Sequence, residues 1–129
     1  MTAPRFRTVV FDCDSTLSAI EGIDELAAGH REAIAALTDS AMRGAVPLEA
    51  VYGARLALIR PGRRAVEALA AHYIAAAVPD ARETVLALRT LGVAVKILSG
   101  GLRPAILPFA AWLGLTDADV TAVDLYFHA

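Results

Sequence analysis

The chain has 129 residues, enough for one domain, with 12 basic against 14 acidic residues and a hydrophobic fraction of 57%. A chain this apolar and this weakly charged is not disordered. Its net charge of −2 provides no basic excess for nucleic acid. One cysteine, Cys13, excludes a disulfide framework and a multi-cysteine zinc site. The sequence has neither a signal peptide nor an apolar run of the roughly 20 residues that span a bilayer, so we expect a cytoplasmic protein without membrane contact.

Three segments predict parallel β-strands covered by helices. They are residues 6–11, which end at a polar cluster, residues 93–98, which end in Ser99-Gly-Gly, and the weaker segment 120–127. Continuous apolar runs that stop at polar or glycine-rich turns are typical of parallel strands buried on both faces. The sequence therefore predicts an α/β fold.

The chain between the first two strands is helical in character, being rich in Ala, Leu, Glu and Arg. Helices are predicted over residues 48–59, 63–76 and 81–91. Asp80 and Glu83 resemble a capping pair for the last of these, and Gly92 is expected to close it. A further helix is expected to begin near Pro104 and to stop at Gly114.

The first two predicted strands are far apart in sequence. A crossover between neighbouring parallel strands needs only about a dozen residues, whereas about 80 separate these two. The helix at 81–91 can make the crossover alone. We therefore predict a core formed by residues 1–17 and 79–129, with residues 18–78 inserted as a helical cap.

Two carboxylates, Asp12 and Asp14, follow directly on the first strand. At this spacing they can converge on one hard cation, and Mg²⁺ prefers carboxylate and carbonyl oxygens. A carboxylate can also attack phosphorus and form an aspartyl-phosphate. The backbone N–H groups of Ser15 and Thr16 are expected to face the same place, which suits a phosphate. In isolation such a pair is more often an acidic turn or a helix cap, but its position after a buried strand favours the chemical interpretation.

Ser99, Gly100 and Gly101 lie at the end of the second predicted strand. A hydroxyl and closely approaching glycine backbone can bind a phosphate oxygen, and the N-terminus of the next helix adds its dipole. A plain glycine turn is the alternative. Ligands bind at the carboxyl edge of parallel sheets. We therefore expect both polar strand ends to meet at one site.

Five stretches of the chain resemble, in the same order, the haloacid-dehalogenase (HAD) superfamily and, within it, the phosphoserine phosphatase branch. They are residues 10–17, 21–27, 42–47, 55–59 and 97–103. The Asp-x-Asp motif identifies only the superfamily, whereas residues 21–27 and 55–59 indicate the branch. The resemblance implies a HAD-like Rossmannoid sheet, of which this chain carries three strands, so that the core is incomplete.

The resemblance also implies the reaction, which is hydrolysis of O-phospho-L-serine in L-serine biosynthesis through an aspartyl-phosphate. Asp12 would be the nucleophile, and Asp14 would be the general acid and then the base. Asp12 and the backbone carbonyl of Asp14 would hold Mg²⁺. Ser99 and Gly100 would hold the phosphate that is transferred.

Glu21 and Arg55 would bind the amino-acid end of the substrate. The resemblance pairs Glu21 with the ammonium group and Arg55 with the carboxylate. One acidic and one basic side chain complement a zwitterion, and arginine suits bidentate carboxylate binding. Taken singly, Glu21 could be a solvated acid at a helix start, and Arg55 could be an exposed helical charge.

The sequence departs from this family in two respects. A catalytic lysine and a Gly-Asp-Gly-x-x-Asp-type loop follow the third strand in the family, and neither occurs within these 129 residues, where Lys96 is the one lysine. We therefore expect weak Mg²⁺ binding and little or no activity of this chain alone. A missing neighbour for the first strand is also expected to leave an open apolar edge that favours self-association.

Two other interpretations stay open at this point. The substrate could be a different small-molecule phosphate ester, such as a phosphosugar, or the reaction could be phosphoryl transfer. Alternatively, the chain could be a non-catalytic binding module that keeps the front half of the fold.

Overall fold

The structure, a computed structural model, describes residues 3–127, except for the side chains of Leu48 and Glu49. Its elements in chain order are β1 (Thr8–Phe11), α1 (Gly22–Leu26), α2 (Arg31–Met42), α3 (Leu48–Ile59), α4 (Arg63–Ala75), α5 (Ala81–Thr90), β2 (Ala94–Leu102), α6 (Arg103–Trp112) and β3 (Val120–Val123), with a short 3₁₀ turn at Asp117–Asp119.

The three strands form one parallel sheet in the order β1-β2-β3. This confirms the predicted α/β fold. The predicted strand ends were wrong in three places, since β1 and β3 are shorter than expected and β2 continues to Leu102. Residues 99–101 therefore belong to an extended strand and not to a turn. The pairing of β2 with β3 is irregular between Leu98 and Leu102, which accommodates the two glycines there.

Helices α3, α4 and α5 follow their predicted bounds to within one residue. Gly92 and Gly114 have φ angles of +79° and +90°, so each ends its helix in the left-handed conformation that glycine adopts freely. The predicted cap at Asp80 is wrong. Asp80 itself has a φ of +65°, and its side chain makes no capping hydrogen bond, because a side-chain cap requires an extended backbone at that position.

The hydrophobic core lies where β2 packs against α4 and α6. Val95 and Ile97 of β2 belong to one buried cluster with Tyr73 of α4 and Phe109 of α6. The rings of Tyr73 and Phe109 stack with their centroids 6.0 Å apart. Helix α4 falls inside the range predicted as the cap, yet it packs on this core. The division into a core and a cap at residues 18–78 stays a prediction.

Lys96 is held away from the carboxyl end of the sheet. Its Nζ donates to Oδ1 of Asp119 at 2.6 Å, which ties β2 to the 3₁₀ turn before β3. This hydrogen bond is the main cause that lowers the pKa of the Asp119 carboxyl. Lys96 therefore has a structural partner, in agreement with the expectation that it is not the family's catalytic lysine.

Among residues 3–127, none of the helices is both long enough and apolar enough to cross a bilayer.

Candidate active site

The loop after β1 turns sharply at Ser15, whose φ of +59° is a left-handed conformation that is uncommon for residues other than glycine. Its backbone N–H donates to the carbonyl of Ile20 at 3.1 Å, and that of Thr16 donates to the carbonyl of Cys13 at 3.2 Å. The expectation that these two N–H groups face a phosphate is therefore wrong. The loop uses them to hold its own turn.

Asp14 is bound by donors from three different parts of the chain. Its Oδ2 accepts the backbone N–H of Gly22 at 2.7 Å and the hydroxyl of Tyr73 at 2.7 Å, and its Oδ1 lies 3.3 Å from the hydroxyl of Ser99. Burial, followed by the hydrogen bond to Asp14, raises the pKa of Tyr73 far above its ordinary value. Tyr73 therefore stays protonated and donates at every physiological pH. These contacts fix the Asp14 carboxylate against α1, α4 and β2.

Two glycines leave room for this arrangement. A Cβ at Gly22 would lie 2.2 Å from the Tyr73 hydroxyl oxygen, and a Cβ at Gly101 would lie 2.8 Å from Oδ1 of Asp14. Neither position has space for a side chain without moving Asp14 or its donor. A Cβ at Gly100, in contrast, would meet open space. Gly101 thus approaches Asp14 closely, whereas the expected approach of this segment to a phosphate stays a prediction.

All six predicted site residues line one cavity of about 220 Å³ at the carboxyl end of the sheet. Its full lining is Asp12, Asp14, Glu21, Ile23, Tyr52, Arg55, Ser99, Gly100 and Gly101. Asp12 is exposed, and its Oδ1 accepts the N–H of Cys13 at 2.7 Å. Residues from the β1 loop, α1, α3 and β2 thus meet, as the sequence predicted, while their chemical roles stay predictions.

Glu21 and Arg55 lie on the helical side of the cavity. The hydroxyl of Ser15 donates to Oε1 of Glu21 at 2.6 Å, which orients that carboxylate. Glu21, Ile23 and Arg55 also line a wider cleft of about 750 Å³ that is shared with α2. The small cavity therefore adjoins a larger opening on its helical side.

Arg55 and Tyr52 lie three residues apart on α3, and both line the small cavity. The Arg55 guanidinium lies over the Tyr52 ring, 5.4 Å from its centroid. Nε of Arg55 and the hydroxyl oxygen of Tyr52 are both buried, and neither has a hydrogen-bond partner within the described part of the chain. A buried polar atom without a partner costs about 1–3 kcal/mol. This wall of the cavity therefore carries polar groups whose partners are not supplied by the described residues.

Cys13 lies between the two aspartates but takes no part in the cavity wall. Its side chain is fully buried. Burial, with the neighbouring carboxylates of Asp14 and Asp12 as smaller causes, raises the pKa of its thiol well above the ordinary value. Cys13 is therefore a small buried residue whose thiol stays protonated.

Tyr52, Tyr73 and Gly22 were missed as site residues from the sequence. The helical spacing of Tyr73 from Val66 and Leu69 marks it as buried, but gives no sign of a carboxylate 59 residues away. Tyr52 could have been found, because a residue three positions before Arg55 shares its helix face.

Comparisons with known proteins show what the chain is similar to. No family model matches the chain. Phosphoserine phosphatase of Bos taurus is 41% identical over 122 residues, which are 93% of this chain and 54% of that protein. The chloroplastic phosphoserine phosphatase of Arabidopsis thaliana is 40% identical over 121 residues, 92% of this chain and 41% of that protein. Over nearly all of its length, this chain is similar in sequence to phosphoserine phosphatases. It spans about half the length of the curated relatives it matches.

Solved structures share the fold. A substrate-bound phosphoserine phosphatase complex aligns with a TM-score of 0.67 and 27% identity, over 94% of this chain and 56% of that one. A HAD-family hydrolase from Salmonella enterica serovar Typhi aligns with a TM-score of 0.84 and 24% identity, over 94% of this chain and 41% of that one. The HAD-like fold and the resemblance to phosphoserine phosphatases are thus confirmed.

The Gly22→Ala variant tests the packing around Asp14. Alanine favours a helix more than glycine does, yet its Cβ displaces the Tyr73 hydroxyl from Asp14. We expect a loss of about 1–3 kcal/mol in the free energy of unfolding, measured by urea denaturation. Gly29→Ala is the matched control, since a Cβ there meets no atom within 4 Å. Equal stability of the two variants would contradict this packing.

Proposed function

We propose that the protein is a cytoplasmic enzyme that hydrolyses O-phospho-L-serine to L-serine and phosphate. The observation that carries the proposal is the single cavity, which has Asp12, Asp14 and Ser99 on the sheet side and Glu21 and Arg55 on the helical side. The first group suits a phosphate ester, and the second suits the ammonium and carboxylate of an amino acid. The names of the relatives support the same substrate.

The reaction proceeds in two steps. The Asp12 carboxylate attacks phosphorus and forms an aspartyl-phosphate, while the bond to the serine oxygen breaks. For this step Asp14 is protonated; it gives its proton to the leaving serine oxygen and is left as a carboxylate. Water then attacks the phosphorus of the aspartyl-phosphate and gives a proton to Asp14. The bond between phosphorus and Asp12 breaks, so that phosphate is released and the Asp12 carboxylate is restored. The exposed carboxylate of Asp12 supports its role as the nucleophile, whereas the Asp14 carboxylate is held in place by its donors.

The phosphate is held at the end of β2. The hydroxyl of Ser99 accepts the N–H of Gly101 at 2.9 Å and points toward Asp14, so its position is fixed from two sides. Open space at Gly100 lets a phosphate oxygen approach the backbone there. At the other end of the substrate, Arg55 pairs with the carboxylate and Glu21 with the ammonium group.

We propose Mg²⁺ as the metal, held by Asp12 and Asp14. The donor set fits in kind, because the acidic groups of the cavity offer oxygen only, and the Cys13 thiol beside them is buried and protonated. When bound, Mg²⁺ neutralises charge on the phosphate oxygens. Within residues 3–127, apart from the side chain of Glu49, no group of three or more His, Cys, Asp or Glu side chains is placed to hold a metal. Weak Mg²⁺ binding stays an expectation.

The Arg55→Ala variant tests the substrate assignment. Calorimetric titration of the chain should show that it binds phosphoserine roughly tenfold more weakly after this change, since a charged hydrogen bond is lost. Binding of phosphoethanolamine, which has no carboxylate, should change little. Arg64→Ala, at an exposed position of α4, is the control and should bind both compounds as the unchanged chain does. Equal losses for both compounds would favour a different phosphate ester.

A second prediction concerns turnover by the 129-residue chain. We expect little or no hydrolysis of phosphoserine, even with Mg²⁺, because phosphoryl transfer depends on electrostatic stabilisation. The one lysine of the chain, Lys96, is paired with Asp119, and Arg55 is the one cation among the residues lining the small cavity. Release of inorganic phosphate at a measurable, magnesium-dependent rate would overturn this expectation.

The outer edge of β1 supports the further proposal that the chain self-associates. Within residues 3–127, no strand pairs with this edge, and Val10 and Phe6 are 57% and 67% exposed. Val10→Lys should reduce association in sedimentation equilibrium, because a charge on an edge strand opposes pairing. Leu86→Lys, at an exposed position of α5, is the control. A chain that stays monomeric at all concentrations would contradict the proposal.

A further inference from the structure

The hydroxyl of Tyr52 is a buried polar group that the proposed chemistry does not use. Its ring lines the small cavity together with Asp12, Asp14, Arg55 and Ser99. The hydroxyl oxygen is buried, yet no partner for it is found among the residues that the structure describes. Since an unpaired buried hydroxyl destabilises a protein, its presence beside a cavity points to a partner that comes from outside the chain.

The position of Tyr52 is fixed by Arg55. The Arg55 guanidinium lies over the Tyr52 ring at 5.4 Å, and its Nε is likewise buried without a partner in the described residues. A guanidinium over an aromatic face is attracted to it, so each side chain restricts the other. Both come from α3, three residues apart, and therefore present their polar atoms to the same end of the cavity.

The Tyr52 hydroxyl is available as a donor. Burial raises its pKa to about 12, with the Arg55 cation opposing this shift and the Asp14 carboxylate adding to it. The phenol therefore keeps its proton at neutral pH and can bind an anion without repelling it. Arg55 is the one cationic residue lining the small cavity, so the helical side is the favourable place for a second anionic group.

We propose that the hydroxyl of Tyr52 and the guanidinium of Arg55 together bind the carboxylate of the substrate, so that Tyr52 determines selectivity for phosphate esters that carry a carboxylate. This inference rests on the proposed function and assigns a specific group of the substrate to Tyr52. One carboxylate can accept from both residues, because its two oxygens offer about four lone-pair directions. Binding then supplies the partners that the buried polar atoms of both side chains lack.

The test is calorimetric titration of the chain and of its Tyr52→Phe variant with four compounds. Phosphoserine carries a carboxylate and an ammonium group, phosphoglycolate only the carboxylate, phosphoethanolamine only the ammonium group, and inorganic phosphate neither. Tyr52→Phe should weaken binding of the first two by roughly tenfold, because it removes one hydrogen bond to a charged group. It should leave binding of the other two unchanged. Tyr126→Phe, whose residue is 86% exposed, is the matched control and should change none of the four.

Thermal unfolding without any ligand separates this role from a structural one. Tyr52→Phe should melt no lower than the unchanged chain, because the hydroxyl that it removes has no partner within the described residues. A lower melting temperature would show that the hydroxyl is bonded inside the protein and would overturn the proposal.

The remaining outcomes are also decisive. Equal weakening for all four compounds would assign the hydroxyl to the phosphate and overturn its pairing with the carboxylate. If the unchanged chain binds phosphoserine and Tyr52→Phe binds it equally well, the role of Tyr52 fails while the proposed function stands. If the unchanged chain binds none of the four compounds, the proposed function fails and this inference fails with it.

Discussion

The hydrogen bonds that hold the Asp14 carboxylate organise the whole site. A carboxylate in a partly buried position needs donors, and it finds them in the Gly22 backbone, the Tyr73 hydroxyl and, at longer range, the Ser99 hydroxyl. These donors belong to α1, α4 and β2. Satisfying one carboxylate therefore fixes where the first helix begins, how α4 lies on the core and where Ser99 of β2 lies.

The same requirement explains the two crowded glycines. Gly22 and Gly101 both lie so close to Asp14 or to its donor that a methyl group would disturb the contact. Neither glycine has a positive φ, so the backbone angle does not select glycine there. The space around one carboxylate selects it instead. Gly92 and Gly114, with positive φ, show the opposite case, in which helix termination selects glycine.

The charges of the small cavity are unbalanced for a substrate that carries a phosphate. Asp12, Asp14 and Glu21 face one cation, Arg55. A phosphate brought next to two aspartates is repelled, and this repulsion is stronger in a partly buried site than in water. A divalent cation beside Asp12 offsets it, which is the physical reason that the proposed chemistry needs a metal. Arg55 lies on the helical side of the cavity, where the proposed function places the carboxylate of the substrate.

The sequence by itself determined the parallel α/β fold, most helix bounds and the six residues that meet in the cavity. These follow from local patterns, namely apolar runs, glycine positions and polar residues at strand ends, together with the resemblance to a known family. The ends of the strands were less predictable. Gly100 and Gly101 predicted a turn, but in the structure they belong to β2, which pairs with β3 and keeps this backbone extended.

Only the tertiary structure decided which donors reach Asp14 and which polar atoms lack partners. Tyr73 meets Asp14 across 59 positions, and no local pattern encodes a contact between residues so far apart. The direction of the Ser15 and Thr16 N–H groups was also decided there, since it depends on where the chain turns toward Ile20. Local sequence determines which polar groups are available, whereas packing determines which of them face each other, because a buried polar group is stable only where the fold brings a partner to it.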